Sequence, residues 1–287
     1  MSRAMRAVSD CGKAVCRICP HACALSEGRR GVCRARVARN GVVVDENYGR
    51  ITSLALDPME KKPLARFLPG TSVLSVGSYG CNLRCPFCQN ASIACAGAED
   101  VAWRTMKPAD LVDRTMRMRD QGAVGIAYTY NEPFVGFEFV RDTALLAREG
   151  DLLNVVVSNG MVNQEPLAQV LPLIDAANID LKGFSQEVYD VLGGDLATVK
   201  SSIEAIASCS SCHLEVTTLV VLGLNDDAEQ IAASARWLAS LDPFIPFHLT
   251  RFYPCHRMAD CPPTSTQALH RLASIASRHL EDVLVGS

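Results

Sequence analysis

Apolar, β-branched runs recur along most of the chain, at Val73–Tyr79, Val124–Tyr130, Leu152–Ser158, Ala176–Leu181, His213–Val221, Ile245–Arg251 and Val283–Val285. Each is strand-sized, and between most of them apolar residues return at helical spacing. Local signals mark the helices. Pro108 opens one over Ala109–Asp120 that Gly122 ends, and Asn163 can cap a short one with Pro166 near its start. Asp195 and Asn225 are natural N-caps for Leu196–Ser208 and Asp226–Ser240. Strand and helix alternating at this rhythm predict a parallel sheet with crossover helices. About six such units, with no GxGxxG after the first strand, predict an α/β fold of the open or partial (β/α) barrel kind. Its sites would lie at the C-terminal strand ends.

Two zones precede this barrel over 73–287. Residues 1–40 are rich in Cys, Gly and Arg with little apolar periodicity, so a metal would have to organise them. Residues 41–72 hold two β-like runs, GVVVDENY and RITSLALD, read as a short hairpin, and then a connector, DPMEKKPLARFLPG.

Composition narrows the class. Hydrophobic residues at 48% and charged residues at 21% of 287 are ordinary for a globular chain and exclude disorder. A net charge of −3 offers no footprint for nucleic acid or anionic lipid. The apolar runs are too short to span a membrane, and the first twenty residues lack the apolar stretch of a secretory signal. The expectation is a soluble cytoplasmic protein. Thirteen cysteines then argue against a disulfide framework, because reducing conditions keep thiols free. Tight spacing in two groups points instead to metal.

The sharper group is Cys81-x3-Cys85-x2-Cys88, in a loop directly after the first barrel strand. Three thiolates can hold three irons of a cubane and leave the fourth open. A zinc site completed by Cys95, or simple buried thiols, are the competing readings. The second group is Cys16-x2-Cys19-x3-Cys23-x9-Cys33, with Pro20, Gly28 and Gly31 suited to tight turns. It fits zinc, a single iron or an iron–sulfur cluster, and the metal is left open. His21, between close ligands, reads as surface-exposed. Cys209-x2-Cys212 and Cys255-x5-Cys261 could together ligate an auxiliary cluster but read first as ordinary thiols, with Cys255 nearest the barrel mouth.

The three-cysteine loop, GSYGCNLRCPFCQN, resembles the signature of the radical S-adenosylmethionine superfamily. With CRICPHACALSEGRRGVC, DPMEKKPLARFLPG, YTYNEP, VVVSNG, AANIDLKGF, EVTTLVVLGLND and LTRFYP, the chain is similar to the AmmeMemoRadiSam-system radical enzymes. These are relatives of the pyruvate formate-lyase activating enzymes. The resemblance implies a partial (β/α)6 barrel with a [4Fe–4S] cluster on Cys81, Cys85 and Cys88. It also implies reductive cleavage of S-adenosylmethionine to a 5′-deoxyadenosyl radical that abstracts hydrogen. It places Asn131 and Glu132 at the methionine amino group, and Ser158, Asn159, Asp180 and Lys182 near the ribose and methionine carboxylate. Phe87 lies against the adenine or serves in packing.

One departure is plain: the family usually has a His after the Arg-Phe of the sixth strand end, and this chain reads Arg251-Phe252-Tyr253-Pro254. Tyr253 can donate from that place, while His248 is expected to face the core. No residue is marked as a general acid or base. An electron donor such as flavodoxin or ferredoxin is implied. The substrate readings are a glycyl-radical protein, or a small molecule or side chain on a Memo- or AMMECR-type partner. A non-catalytic metal-stabilised binding protein is the contrary reading.

Overall fold

A computed structural model describes residues 12–286. The first eleven residues of the Cys-rich segment, Cys11 among them, lie outside the described residues. Eight strands form one sheet: β1 (Ser53–Pro58), β2 (Ser72–Gly77), β3 (Ala123–Tyr128), β4 (Leu153–Ser158), β5 (Ala176–Asp180), β6 (His213–Val220), β7 (Phe247–Arg251) and β8 (Val283–Gly286). They lie side by side in chain order, with β2 to β8 parallel and β1 antiparallel to β2. Among the described residues β1 and β8 are unpaired edges, so the barrel is open. Six strand–helix units and a closing strand make the partial barrel expected from the sequence.

The helices are α1 (Ala91–Ala94), α2 (Pro108–Met116), α3 (Phe137–Glu149), α4 (Gln164–Val170), α5 (Gln186–Leu192), α6 (Leu196–Ala207), α7 (Ala228–Leu241) and α8 (Thr266–Ala276). Strands covered on both faces read as near-continuous apolar runs. In β3, Ile126 and Tyr128 join the core under the helices, while Ala127 packs on the barrel's interior side. Gly125 is needed where β3 meets β4, because a Cβ there would lie 2.1 Å from the Leu153 carbonyl oxygen. Outside, α8 gives Leu269, Leu272, Ala273 and Ala276 to one buried face against β7 and β8. Each leucine so buried is worth ~2 kcal/mol.

Several local expectations change. The helix from Pro108 ends at Met116, and a 3-10 turn over Arg119–Gln121 carries the chain to left-handed Gly122. Asp195 caps α6 through Thr198 N, but α7 is capped by Asp227 rather than Asn225. Asn163 precedes α4 without capping it; its amide donates to the Arg17 carbonyl instead. α5 was not anticipated, although Ser185 caps its start. The two runs of the expected 41–72 hairpin do not pair with each other. Val42–Asp45 pairs back onto Arg36–Arg39, across Asn40 and Gly41. Both turn residues have positive φ, as a type I′ turn requires.

The DPMEKKPLARFLPG connector closes the base of the barrel. Met59, Leu64 and Phe67 pack against Val73, Ala127, Val155 and Ala176. Its backbone is pinned by Asn178 to the Pro63 carbonyl at 2.8 Å, and by Ala65 and Arg66 N–H groups to the Glu215 carboxylate at 3.0 and 2.8 Å. Glu215, fully buried, also accepts from His213 at 2.9 Å and His248 at 2.5 Å. Among the described residues no helix is long and apolar enough to cross a membrane.

Burial alone would raise the Glu215 pKa, but the two histidines and the connector N–H hold it down at about 2. That lies below the ordinary carboxylate value of about 4.3, so the stabilisation is complete above that pH and is lost as pH falls toward about 2. Glu215→Gln should therefore cost ~3 kcal/mol at pH 7 in urea unfolding. The deficit should narrow as pH falls from about 4 toward about 2, where the Glu215 carboxylate takes up its proton.

Candidate metal and nucleotide site

β2 ends at Gly77, and the chain turns through Ser78, Tyr79 and Gly80 into Cys81. Asn131, just after β3, braces this turn. Its Oδ1 accepts from Ser78 N at 2.9 Å, and its Nδ2 donates to the carbonyls of Tyr79 and Gly80 at 3.2 and 3.0 Å. Gly80 has φ +91°, and a Cβ there would meet the Cys33 carbonyl oxygen at 2.5 Å. Only glycine meets both demands. Farther along the loop, Arg84 N donates to the Leu192 carbonyl at 2.8 Å and Arg257 N to the Pro86 carbonyl at 3.0 Å. The Cys255 thiol donates to the Phe87 carbonyl at 3.3 Å.

Cys81, Cys85 and Cys88 open onto a cavity of about 740 Å³ at the C-terminal ends of the strands. Asn131, Glu132, Ser158, Asn159, Asp180 and Lys182 line the same cavity, so all nine barrel residues singled out from the sequence converge. Phe87 and Tyr253 line it too. So does His248, whose Nε2 is held on Glu215 while the ring faces the cavity rather than a dry core. Strand alternation from Glu215 through Thr217 to Leu219, with Thr217 in register with His248, is the signal that would have put it there.

Several of these groups are already engaged with the protein. Glu132 accepts from Phe134 N at 3.0 Å, Ser158 Oγ at 2.8 Å and Asn159 N at 2.8 Å. Its burial nonetheless pushes its pKa up to about 7 against those hydrogen bonds. Lys182 reaches Asp180 at 2.9 Å. Burial disfavours its charge, but Asp180 and the nearby Cys85 outweigh it and hold its pKa above the ordinary value. Asn225 Oδ1 accepts from Val221 N at 2.7 Å, so its oxygen is not free to cap α7, and its Nδ2 donates to the Lys182 carbonyl at 2.7 Å. Tyr130 sits at φ +72°, costly for a non-glycine residue. Its hydroxyl donates to Asp57 at 2.5 Å and its carbonyl accepts from Asn90 at 2.9 Å, which hold it there.

The N-terminal thiols form a second group outside the cavity. Cys16, Cys19 and Cys33 are buried and Cys23 is half-buried. Burial pushes Cys19 up to about 12, with Cys16 and Cys33 close enough to add to it. His21 does not simply face solvent: its Nε2 lies 2.8 Å from the Asn82 carbonyl. Among the described residues no three His, Cys, Asp or Glu side chains are drawn in around a single ion. In the barrel loop the donor set suits a cubane, which spreads its thiolates over separate corners. Cys209 and Cys212 lie before β6 at the base, and Cys255 and Cys261 after β7 at the mouth, so the two pairs do not meet.

A radical SAM superfamily model matches residues 75–238. The chain belongs to the radical SAM superfamily. A radical SAM protein implies a [4Fe–4S] cluster and S-adenosylmethionine. The chain is 37% identical to an uncharacterized Methanocaldococcus jannaschii protein, MJ0808, over 97% of its own length and 82% of that protein. Streptococcus suis SuiB, solved with S-adenosylmethionine bound, matches with a TM-score of 0.57 at 12% identity. The match covers 75% of this chain and 51% of SuiB. A radical SAM methyltransferase from Sphaerobacter thermophilus matches with a TM-score of 0.56 at 16% identity, over 77% and 68% of the two chains. At these identities the two structures speak for the radical SAM fold alone.

The loop of this radical SAM protein depends on Gly80. Gly80→Ala should destabilise the fold by ~3 kcal/mol in urea unfolding, through the left-handed φ and the clash with Cys33. Iron bound after anaerobic reconstitution should fall with it.

Proposed function

We propose that this protein cleaves S-adenosylmethionine reductively and uses the product radical to take hydrogen from a substrate. The observation that carries the reading is the convergence of three loop thiols and six polar strand-end side chains on one cavity. Bound at Cys81, Cys85 and Cys88, a [4Fe–4S] cluster supplies the single electron that breaks the sulfonium's carbon–sulfur bond, giving methionine and a 5′-deoxyadenosyl radical.

The chain's own residues bind and orient. Glu132, raised toward neutrality by burial, gains a charge partner when a cationic amino group arrives, and Asn131 holds the turn that carries Cys81 beside it. Lys182 offers its ammonium to a carboxylate, and Asp180 keeps that ammonium in place. Ser158 and Asn159 fix Glu132 through hydrogen bonds and so set where the amino group sits. At the N terminus, the spacing of Cys16, Cys19, Cys23 and Cys33 supports a second metal, zinc or iron, which would have to draw the thiols together. The motif stretches support an activating-enzyme-like member of the AmmeMemoRadiSam type, acting on a protein or a small molecule. In this reading flavodoxin or ferredoxin supplies the electron, in the cytoplasm.

Anaerobic reconstitution with iron and sulfide, followed by dithionite and S-adenosylmethionine, tests it. Wild type should form 5′-deoxyadenosine, and the Cys81→Ala, Cys85→Ala, Cys88→Ala triple variant should fall to background. A wild type with its cluster intact and no 5′-deoxyadenosine would overturn the reading.

A further inference from the structure

The lysine and arginine side chains lining the cavity are Lys61, Lys62, Lys182 and Arg251. The lysines are matched. Lys61 and Lys62 share the Asp57 carboxylate, each at 2.8 Å, and Lys182 reaches Asp180 at 2.9 Å. Arg251, the last residue of β7, is half-buried and has no carboxylate partner among the described residues. Its guanidinium is nonetheless fixed. Nε donates to the Thr264 carbonyl at 2.6 Å and Nη1 to the Tyr253 hydroxyl at 3.4 Å. The guanidinium carbon lies 4.9 Å from the centre of the Tyr253 ring. Thr264 is fully buried, and its own hydroxyl donates to the Val220 carbonyl at 2.6 Å, so the anchor belongs to the packed end of β6. A guanidinium has five N–H donors. Arg251 spends two, which leaves three on its terminal nitrogens, a fork suited to the paired oxygens of a carboxylate or phosphate.

We propose that Arg251 is a substrate-recognition residue, and that the substrate is a small molecule carrying a carboxylate or a phosphate. The proposal rests on the functional reading above and narrows it. S-adenosylmethionine brings one anionic group, its carboxylate, and Lys182 is matched to that. Glu132 takes its amino group. The charge left unmatched at Arg251 therefore falls to the second molecule in the cavity. That cavity, about 740 Å³ and lined from the connector by Lys62, Pro63 and Ala65, is of the size that takes small molecules. An oxyanion gripped at two points fixes the rotation of the substrate, and so which of its hydrogens is offered to the radical.

Isothermal titration of the reconstituted holoenzyme tests this, with S-adenosylmethionine present to occupy Lys182 and no reductant added. Inorganic phosphate and acetate are the probes. At least one should bind saturably, and Arg251→Ala should weaken it by about tenfold or more, as loss of a charge-assisted pair of hydrogen bonds requires. Arg251→Lys, the variant to use if Arg251→Ala does not fold, keeps the charge without the fork and should recover only part of the affinity. Lys61→Ala removes a matched, largely exposed cation from the same cavity and should change the affinity by less than about twofold. Binding of phosphate alone assigns a phosphate-bearing substrate, and binding of acetate alone a carboxylate. A wild type that forms 5′-deoxyadenosine but binds neither probe, or wild-type affinity in a folded Arg251 variant, would overturn this proposal alone. Anion binding with an intact cluster but no 5′-deoxyadenosine would overturn the functional reading, and the substrate role of Arg251 with it.

Discussion

Gly80 lies with its α-carbon against the carbonyl of Cys33, at a backbone angle other residues avoid, while Asn131 ties down the turn before it. That contact joins three parts of the chain. The N-terminal segment supplies the carbonyl, β2 supplies the turn, and the end of β3 supplies the amide. The position of Cys81 follows from all three. Cys85 and Cys88 are then set by the bonds from Arg84, Arg257 and Cys255 to neighbouring backbone. The loop is held from outside the cavity, which leaves the cavity face of its thiols free for chemistry.

Two buried carboxylates inside the barrel show how differently one side chain can be used. Glu215 gathers two histidines and two backbone N–H groups, and its pKa falls to about 2. Glu132 gathers only neutral donors, and burial drives its pKa up to about 7. The first is satisfied by the protein and holds the connector in place. The second is short of positive charge, and it is the one at the cavity beside Cys81. A carboxylate waiting for a cation belongs at a binding site; a carboxylate already supplied belongs to the fold.

The strand rhythm made the barrel legible, because strands buried on both faces leave continuous apolar runs. The three loop thiols were legible from their spacing, and the six polar residues from the family resemblance, at C-terminal strand ends where polar groups interrupt the apolar run. What stayed hidden involves contacts between distant segments. Asn225 and Asn163 look like caps, but Asn225 commits its oxygen to Val221 N and Asn163 turns its amide to the Arg17 carbonyl. The connector reads as a linker because its apolar residues follow no period, yet they fill the base of the barrel. His248 reads as core because its partner, Glu215, is on another strand. The spacing of the N-terminal cysteines shows a group but not its neighbour, since nothing local says that His21 meets the Asn82 carbonyl.

The closure of the base also constrains the order in which this chain can acquire its structure. The connector's backbone is bonded to Glu215 across 149 and 150 residues, and Arg66 pairs with Asp282 across 216. On a ribosome, residues 57–68 emerge long before the strands that receive them. Met59, Leu64 and Phe67 must wait, apolar and unburied, until β2 to β5 exist, and Phe67 also for His213 at the start of β6. Such distant contacts are the slow ones to form, and exposed apolar chain is what aggregates meanwhile. The part of the barrel made first is thus finished last, and the intact base certifies that synthesis has reached the end of the sheet.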